Sequence, residues 1–203
     1  MTGRAATAEE QGRFALYLDL LLVWNRAQRL TGVLTPVEIV KTLFQDSLLF
    51  LFWLPPGPVV VADIGAGAGI PGVPLAIVRP EISLTLIDSK RKRVSFLRAL
   101  KRELGMANIE ILEGRAEELV LSATELAGKF DVVVSRGVGA LPDLLPAVMA
   151  YLLAGGLFIA SGPPAQKVKL RSPGGHGVRW ETVQFPDLGI SRTFLLVSKQ
   201  GAS

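Results

Sequence analysis

A glycine-rich turn is the first feature of this sequence whose residue types could support chemistry. The apolar run Val59–Ile64 leads directly into alternating glycines, and Asp88 ends the next apolar run, 25 residues after Asp63. Glycines at a strand-to-helix turn let the backbone approach a ligand closely, and a carboxylate after the second strand can accept both hydroxyls of a ribose. We therefore expect an adenosine-containing cofactor to bind at this turn. The turn residues assigned to it are Gly65, Ala66, Gly67 and Gly69.

Two classes of cofactor fit this pattern. Gly67, Gly69 and Gly72 match the dinucleotide fingerprint literally, which keeps a nicotinamide-dependent oxidoreductase open. However, Asp63 stands two residues before the turn, and no Lys or Arg follows it until Arg79. A negative charge without nearby cations suits a cationic ligand that has no phosphates. The turn therefore favours S-adenosylmethionine over a dinucleotide, which carries phosphates.

The elements that must position these residues follow from the hydrophobic pattern. Short apolar runs that alternate with amphipathic stretches predict a parallel sheet covered by helices. The predicted strands are 59–64, 83–87, 109–112, 131–135 and 157–160, and the predicted helices are 72–79, 90–104 and 142–153. Strands 178–185 and 193–198 predict a closing antiparallel hairpin. The expected fold is α/β, a Rossmann-like, doubly wound class I S-adenosylmethionine-dependent methyltransferase domain over residues 57–203, preceded by a small N-terminal helical cap over residues 1–56.

Composition excludes several other classes of protein. The 203 residues are 49% hydrophobic and 20% charged, which suffices for a sizeable core. The chain has no cysteine, so a disulfide framework, a thiolate metal site and a cysteine nucleophile are excluded. The apolar stretch 43–58 contains Gln45 and Asp46 and ends in prolines, which makes it too short to cross a bilayer. With no secretory signal visible, we expect a cytoplasmic monomer without a membrane partner.

The positive charge is unevenly distributed. The net charge is only +4, but residues 90–102 contain no acid and carry seven basic side chains. These are Lys90, Arg91, Lys92, Arg93, Arg98, Lys101 and Arg102. Such a run predicts a polyanionic partner, and a solvated helix face is the alternative interpretation.

Several motifs carry a closer resemblance to a known family. They are Trp24–Thr31, Asp46-Ser47, Asp63–Ile77, Leu86–Leu97, Gly114–Glu118 and Ser135–Leu141. Within them, Gly-Ile-Pro-Gly-Val-Pro-Leu is much more specific than a bare glycine pattern. On these residues the chain resembles the RsmG (GidB) family of 16S rRNA guanine-N7 methyltransferases over roughly residues 15–162. The resemblance implies methyl transfer from S-adenosylmethionine to N7 of a guanine, with ribosomal RNA or the small-subunit particle as partner.

The resemblance also implies residue roles. Guanine N7 carries an in-plane lone pair, so the reaction needs no general base and depends on positioning. Asp63 and the glycines would shape the methionine end, and Asp88 would hold the ribose. Ala116 and Glu117 would line the adenine pocket. Arg136, at the end of the fourth strand, would position the substrate and also contact the cofactor, with Arg115 as the second candidate for positioning the substrate.

The chain departs from the family pattern at two places. Thr42 and Leu43 stand where the family usually has Arg-His, and Ser161-Gly162 stands where it commonly has Lys-Gly. Both changes remove polar groups near the expected substrate. They leave open a catalytically impaired, RNA-binding homologue. His176, beyond the family motifs, is interpreted as a loop residue.

Overall fold

The computed structural model describes residues 4–137, 141–161, 177–186 and 189–201, and it contains a seven-stranded sheet. The strand order is β3-β2-β1-β4-β5-β7-β6. The strands are β1 Val59–Ile64, β2 Ile82–Asp88, β3 Ile109–Glu113, β4 Phe130–Arg136, β5 Leu152–Ser161, β6 Gly177–Phe185 and β7 Ile190–Ser198. Neighbours among the first five strands are parallel, whereas β7 runs antiparallel to β5 and β6. The predicted doubly wound sheet and its closing hairpin are confirmed.

The register of the parallel strands brings the candidate site together. Ile64 is opposite Ile87 across β1 and β2, and Asp63 is opposite Val134 across β1 and β4. The ends of these three strands therefore lie at one edge of the sheet, at the point where the strand order reverses. This reversal is where open α/β sheets bind ligands.

Seven α-helices lie within the described residues. They are α1 Ala8–Gln28, α2 Pro36–Ile39, α3 Asp46–Leu48, α4 Gly72–Val78, α5 Arg91–Leu104, α6 Ala116–Ser122 and α7 Leu141–Tyr151. A π-helical segment, Val40–Gln45, joins α2 to α3, and 3-10 turns cover Leu49–Trp53 and Thr124–Leu126. The short α6 was not anticipated from the sequence. The predicted strand 157–160 is too short, because β5 begins at Leu152, next to a register shift in its pairing with β4.

Two hydrophobic cores cover the two faces of the sheet. Val61 of β1 packs into a core shared with α4 and α5, and the next residue, Ala62, packs into a core shared with α6 and α7. This alternation of faces is the two-residue period of a strand buried on both sides.

The N-terminal helical segment packs on the face of α4 and α5. Tyr17, Phe44 and Phe50 are almost completely buried in the same core as β1 and α4. Phe50 makes an edge-to-face contact with Phe194 of β7, with ring centroids 5.0 Å apart. The segment predicted as a cap over residues 1–56 therefore shares its core with the sheet. None of the helices in the described ranges has the length and apolarity needed to cross a membrane.

Candidate active site

A cavity of about 760 Å³ opens at the carboxyl edge of the sheet, where β1, β2 and β4 end. Eight of the residues predicted from the sequence line it: Gly65, Ala66, Gly67, Asp88, Arg115, Ala116, Glu117 and Arg136. The topology thus brings together residues that are up to 71 positions apart in the chain.

Gly67 lies where a ligand can approach the backbone. Its φ of +57° is in the left-handed region, which glycine adopts without strain. A Cβ atom at Gly67 would lie 3.7 Å from its nearest neighbour, the carbonyl oxygen of Gly65, so no protein atom crowds this position. The open space over Gly67 fits a bound cofactor.

The amides of this turn are already used by the protein. The amides of Gly65 and Ala66 donate to the Ile87 carbonyl, and the amide of Gly67 donates to Asp88 Oδ2 at 2.9 Å. The amide of Gly72, the first residue of α4, donates to Asp63. These four amides therefore stabilise the turn itself and are not free to bind a ligand.

Asp88 organises the turn and faces the cavity. Its side chain is 3% exposed, and its Oδ1 accepts a hydrogen bond from the Lys90 amide at 2.8 Å. Besides Gly67, Oδ2 also accepts from Arg93 Nη1 at 3.3 Å. A carboxylate offers about four acceptor positions, so three are in use and one remains. Two ribose hydroxyls can both bind Asp88 once Arg93 moves aside.

Asp63 and Gly69 do not line the cavity, and both lie behind the turn. Asp63 is fully buried, and its Oδ2 accepts the Gly72 amide at 2.8 Å while its Oδ1 has no hydrogen-bond partner among the described residues. Burial raises the pKa of Asp63 to about 7, the Gly72 amide opposes this shift, and the charge of Asp88 adds to it. A Cβ at Gly69 would meet the Tyr17 hydroxyl at 2.9 Å. Gly69 is therefore required by packing against α1.

The start of α6 forms the side of the cavity where the sequence predicts the adenine pocket. Ala116 is buried, and its carbonyl accepts a hydrogen bond from the Tyr151 hydroxyl at 2.9 Å. Arg115 is 63% exposed in its side chain, and it approaches Glu117 and Glu118 only at 3.6 Å and 3.7 Å. Because these contacts are long and solvated, the Arg115 guanidinium can turn toward a ligand.

Arg136 ends β4 at the opposite wall of the cavity. Its Nη2 donates to the Thr42 carbonyl at 2.5 Å and lies 3.5 Å from Asp46 Oδ2. Its Nη1 is buried and has no hydrogen-bond partner among the described residues. Burial lowers the pKa of Arg136, Asp46 opposes this shift and Arg192 adds to it. Arg136 lines the cavity, so its unpaired Nη1 could donate to a ligand once a shift of the guanidinium uncovers it.

The departures from the family pattern lie beside this arginine. Thr42 holds Arg136 through its backbone carbonyl, Leu43 lines the cavity with an apolar side chain, and Ser161 is opposite Arg136 across β4 and β5. These positions lie near the residue predicted to position the substrate, and the effect of the missing polar groups stays a prediction. Gly162 and His176 lie outside the described residues.

Several residues that line the cavity were not assigned to it from the sequence. Lys90 and Arg93 line the cavity, and so does Thr31, in the loop after α1. The buried Asn25 fixes that loop, because its Oδ1 accepts the Thr31 amide at 2.9 Å. The motif Trp24–Thr31 contained the signal, but only the fold shows that this loop reaches the cavity.

Comparison with known proteins agrees with this geometry. Residues 10–166 match the family described as rRNA small subunit methyltransferase G, GidB. The chain is 38% identical over 201 residues to the ribosomal RNA small subunit methyltransferase G of Deinococcus radiodurans, covering 95% of this chain and 79% of that protein. It is 34% identical over 196 residues to the protein of the same name from Lachnoclostridium phytofermentans, covering 92% of this chain and 80% of the relative.

Solved structures share the fold at low sequence identity. A SAM dependent methyltransferase from Aquifex aeolicus superimposes with a TM-score of 0.59 at 13% identity, covering 79% of this chain and 92% of that one. TYW2 of M. jannaschii in complex with AdoMet superimposes with a TM-score of 0.57 at 16% identity, covering 76% of this chain and 73% of that one. The fold is that of class I methyltransferases, and the sequence matches make the chain a member of the GidB family of rRNA small subunit methyltransferases G.

Proposed function

We propose that this protein transfers a methyl group from S-adenosylmethionine to N7 of a guanine in 16S ribosomal RNA. Membership of the GidB family and the names of the relatives support the reaction class and the RNA substrate. The observation that carries the proposal is the cavity in which the uncrowded Gly67 turn and Asp88 face Arg136. The comparisons lend no support to the nicotinamide-dependent oxidoreductase.

The residues of the cavity divide into a cofactor side and a substrate side. S-adenosylmethionine, when bound, would supply a sulfonium methyl group to the N7 lone pair, and the electrons of the broken C–S bond would stay on sulfur. Asp88 accepts the ribose hydroxyls, and the turn at Gly65, Ala66 and Gly67 shapes the methionine end. Asp63 and Gly69 support this turn from behind, and Ala116 with Glu117 forms the adenine pocket.

The substrate side depends on Arg136. A guanidinium there suits the O6 edge of a guanine or a phosphate, and Arg115 is the second candidate for this contact. The N7 atom has no proton to lose, so the protein needs no general base at the reacting atom. Orienting the base toward the methyl group is then the main catalytic task.

A basic groove next to the cavity supports an RNA partner. Its volume is about 340 Å³, and Gln28, Arg29 and Leu30 line it together with the basic turn, the name used here for Lys90, Arg91, Lys92 and Arg93. The amino end of α5 adds the positive end of a helix dipole. Leu30, Lys90 and Arg93 border the cavity as well as the groove. An RNA backbone bound in the groove would lie beside the cofactor. We propose ribosomal RNA or the small-subunit particle as the partner of a cytoplasmic monomer.

Transfer of a labelled methyl group to 16S rRNA tests the proposal. Wild-type protein is expected to produce 7-methylguanosine, identified after nuclease digestion. Arg136→Ala should lower the rate at least about tenfold, roughly 1.4 kcal/mol of barrier, with nearly unchanged affinity for S-adenosylhomocysteine. Arg136→Lys keeps the charge without the planar fork, so it should restore the rate only in part.

The fold is expected to tolerate these substitutions, because Asp46 keeps its 2.8 Å ion pair with Arg192 when Arg136 is absent. Full activity of Arg136→Ala would remove this residue from the substrate side. A loss of cofactor affinity equal to the loss of rate would place it on the cofactor side. Binding of S-adenosylhomocysteine without methyl transfer to naked rRNA or to the particle would favour the catalytically impaired homologue.

A further inference from the structure

A buried carboxylate shared by two arginines lies behind the substrate side of the cavity. Asp46 is 5% exposed, and its Oδ2 accepts from Arg192 Nε at 2.8 Å and lies 3.5 Å from Arg136 Nη2. Arg192 lies in β7, beyond the part of the chain that matches the family, which ends at residue 166. The closer partner of Asp46 is therefore an arginine outside the family motifs.

We propose that Arg192 is a positioning residue for Arg136: by occupying Asp46, it leaves the Arg136 guanidinium available to the RNA substrate. The proposal rests on the substrate role proposed for Arg136. It adds a residue of the C-terminal hairpin to the machinery of the reaction.

The reason is competition for one buried negative charge. An unpaired buried carboxylate is strongly unfavourable, so Asp46 must have a cationic partner. Arg192 is the closer cation, at 2.8 Å from Oδ2, whereas Arg136 makes only a long ion pair of 3.5 Å with the same oxygen. The short hydrogen bond of Arg136 goes to the neutral carbonyl of Thr42 at 2.5 Å, and Asp46 Oδ1 has no hydrogen-bond partner among the described residues. If Arg192 were absent, Arg136 would be the cation beside Asp46, and a fork-to-carboxylate pair would use both of its terminal nitrogens. This pairing would withdraw Arg136 from the cavity, including the Nη1 that now has no partner among the described residues.

The hairpin is built so that Arg192 reaches this position. Arg136 is opposite Ser161 across β4 and β5, and Ser161 is opposite Phe194 across β5 and β7. Arg192 is two residues before Phe194 in β7. The ring of Phe194 packs on Trp53, with centroids 4.6 Å apart, and this contact fixes β7 against the helical segment that carries Asp46.

The test measures methyl transfer to 16S rRNA and S-adenosylhomocysteine affinity for matched variants. Arg192→Gln should lower the transfer rate about tenfold or more, because a misplaced reacting group is costly, with unchanged cofactor affinity. Removing the carboxylate as well should reverse this loss, so Asp46→Asn combined with Arg192→Gln should be more active than Arg192→Gln alone. Arg192→Lys should keep most of the activity. Arg179→Gln, on the neighbouring strand and 62% exposed, is the control and should match wild type.

The outcomes separate this proposal from the one on which it rests. Full activity of Arg192→Gln would overturn it. The proposal would also be overturned if the double variant Asp46→Asn with Arg192→Gln were no more active than Arg192→Gln alone. If Arg192 were only structural, the two substitutions would each lower activity and their losses would add. If Arg192→Gln fails to fold, Arg192→Lys becomes the decisive variant. A folded Arg192→Lys protein without methyl-transfer activity would overturn the proposal, and a folded one that keeps its activity would support it. Full activity of Arg136→Ala would instead refute the substrate role of Arg136 itself.

Discussion

Replacing Asp88 by Asn tests the cofactor side with little change in shape. The two carboxylate oxygens accept the amides of Gly67 and Lys90, at 2.9 Å and 2.8 Å. An Asn side chain has one oxygen and one NH₂ group, so either orientation turns the NH₂ toward a backbone amide and leaves fewer acceptor positions for the ribose. The substitution removes one charge-assisted acceptor from the turn and weakens those that face the ribose.

The expected loss of cofactor affinity is about 1–3 kcal/mol, which corresponds to roughly 5- to 150-fold in Kd. Asp88→Ala should lie at the upper end, because it frees the Gly67 amide as well. Calorimetric titration with S-adenosylhomocysteine measures the change, and thermal unfolding measures how much of it reflects the fold.

Asp131→Asn is a matched control for Asp88→Asn. Asp131 Oδ2 accepts the Val60 amide at 2.8 Å, near the amino ends of β1 and β4 and away from the cavity. This control should lose stability and retain cofactor affinity. Equal affinity of wild type and a folded Asp88→Asn protein would refute the assignment of Asp88 to the ribose.

Three further predictions concern the turn, the buried acid and the RNA surface. Gly67→Val should weaken S-adenosylhomocysteine binding. The control Gly105→Val has a similar φ of +63° and open space around it, so it should introduce the same backbone strain and bind the ligand normally. Equal affinity of both variants in calorimetry would show that the glycine-rich turn is only structural. Burial raises the pKa of Asp63 to about 7 in the folded protein, so the free energy of unfolding of the wild type should fall as the pH rises from about 4 through about 7. In urea unfolding, Asp63→Asn should show a smaller fall over this range. Equal falls for the wild type and Asp63→Asn would contradict the raised pKa. Neutralising the basic turn should weaken RNA binding and reduce its salt dependence. Neutralising Lys101 and Arg102, at the far end of α5, should lower RNA affinity and its salt dependence much less. Equal salt slopes of RNA affinity in filter binding for the wild type and the basic-turn variant would show that the basic turn is an ordinary solvated surface.

The fold could be predicted from the sequence because its signals are local. Each central strand is rich in apolar residues, several of them β-branched, and the turn after β1 carries its own glycines. The helix α6 was missed because only Ala116 and Val120 of its seven residues are buried, so it shows no clear apolar period, whereas six of the seven residues of the equally short α4 are buried. The length of β5 was underestimated because its first residues contain Gly155 and Gly156, which indicate a turn rather than a strand.

The site was only partly predictable, because some of its contacts join distant parts of the chain. Gly67 and Asp88 stand out by spacing alone. By contrast, the partnership of Asp46 with Arg192 spans 146 positions, and no local pattern indicates it. Asp63 shows the converse problem, since its place before the turn suggested direct contact with the cofactor, whereas its carboxylate is buried and bonded to α4. Its direct contact with the methionine end stays a prediction.

The most direct measurement is a map of 7-methylguanosine in 16S rRNA from cells with and without the gene for this protein. Chemical cleavage at 7-methylguanosine followed by primer extension gives the position of each such base. We predict one site that is lost without the gene, returns with the wild-type gene and is much reduced with the gene for Arg136→Ala. An unchanged pattern of 7-methylguanosine in 16S rRNA after loss of the gene would contradict the proposed function.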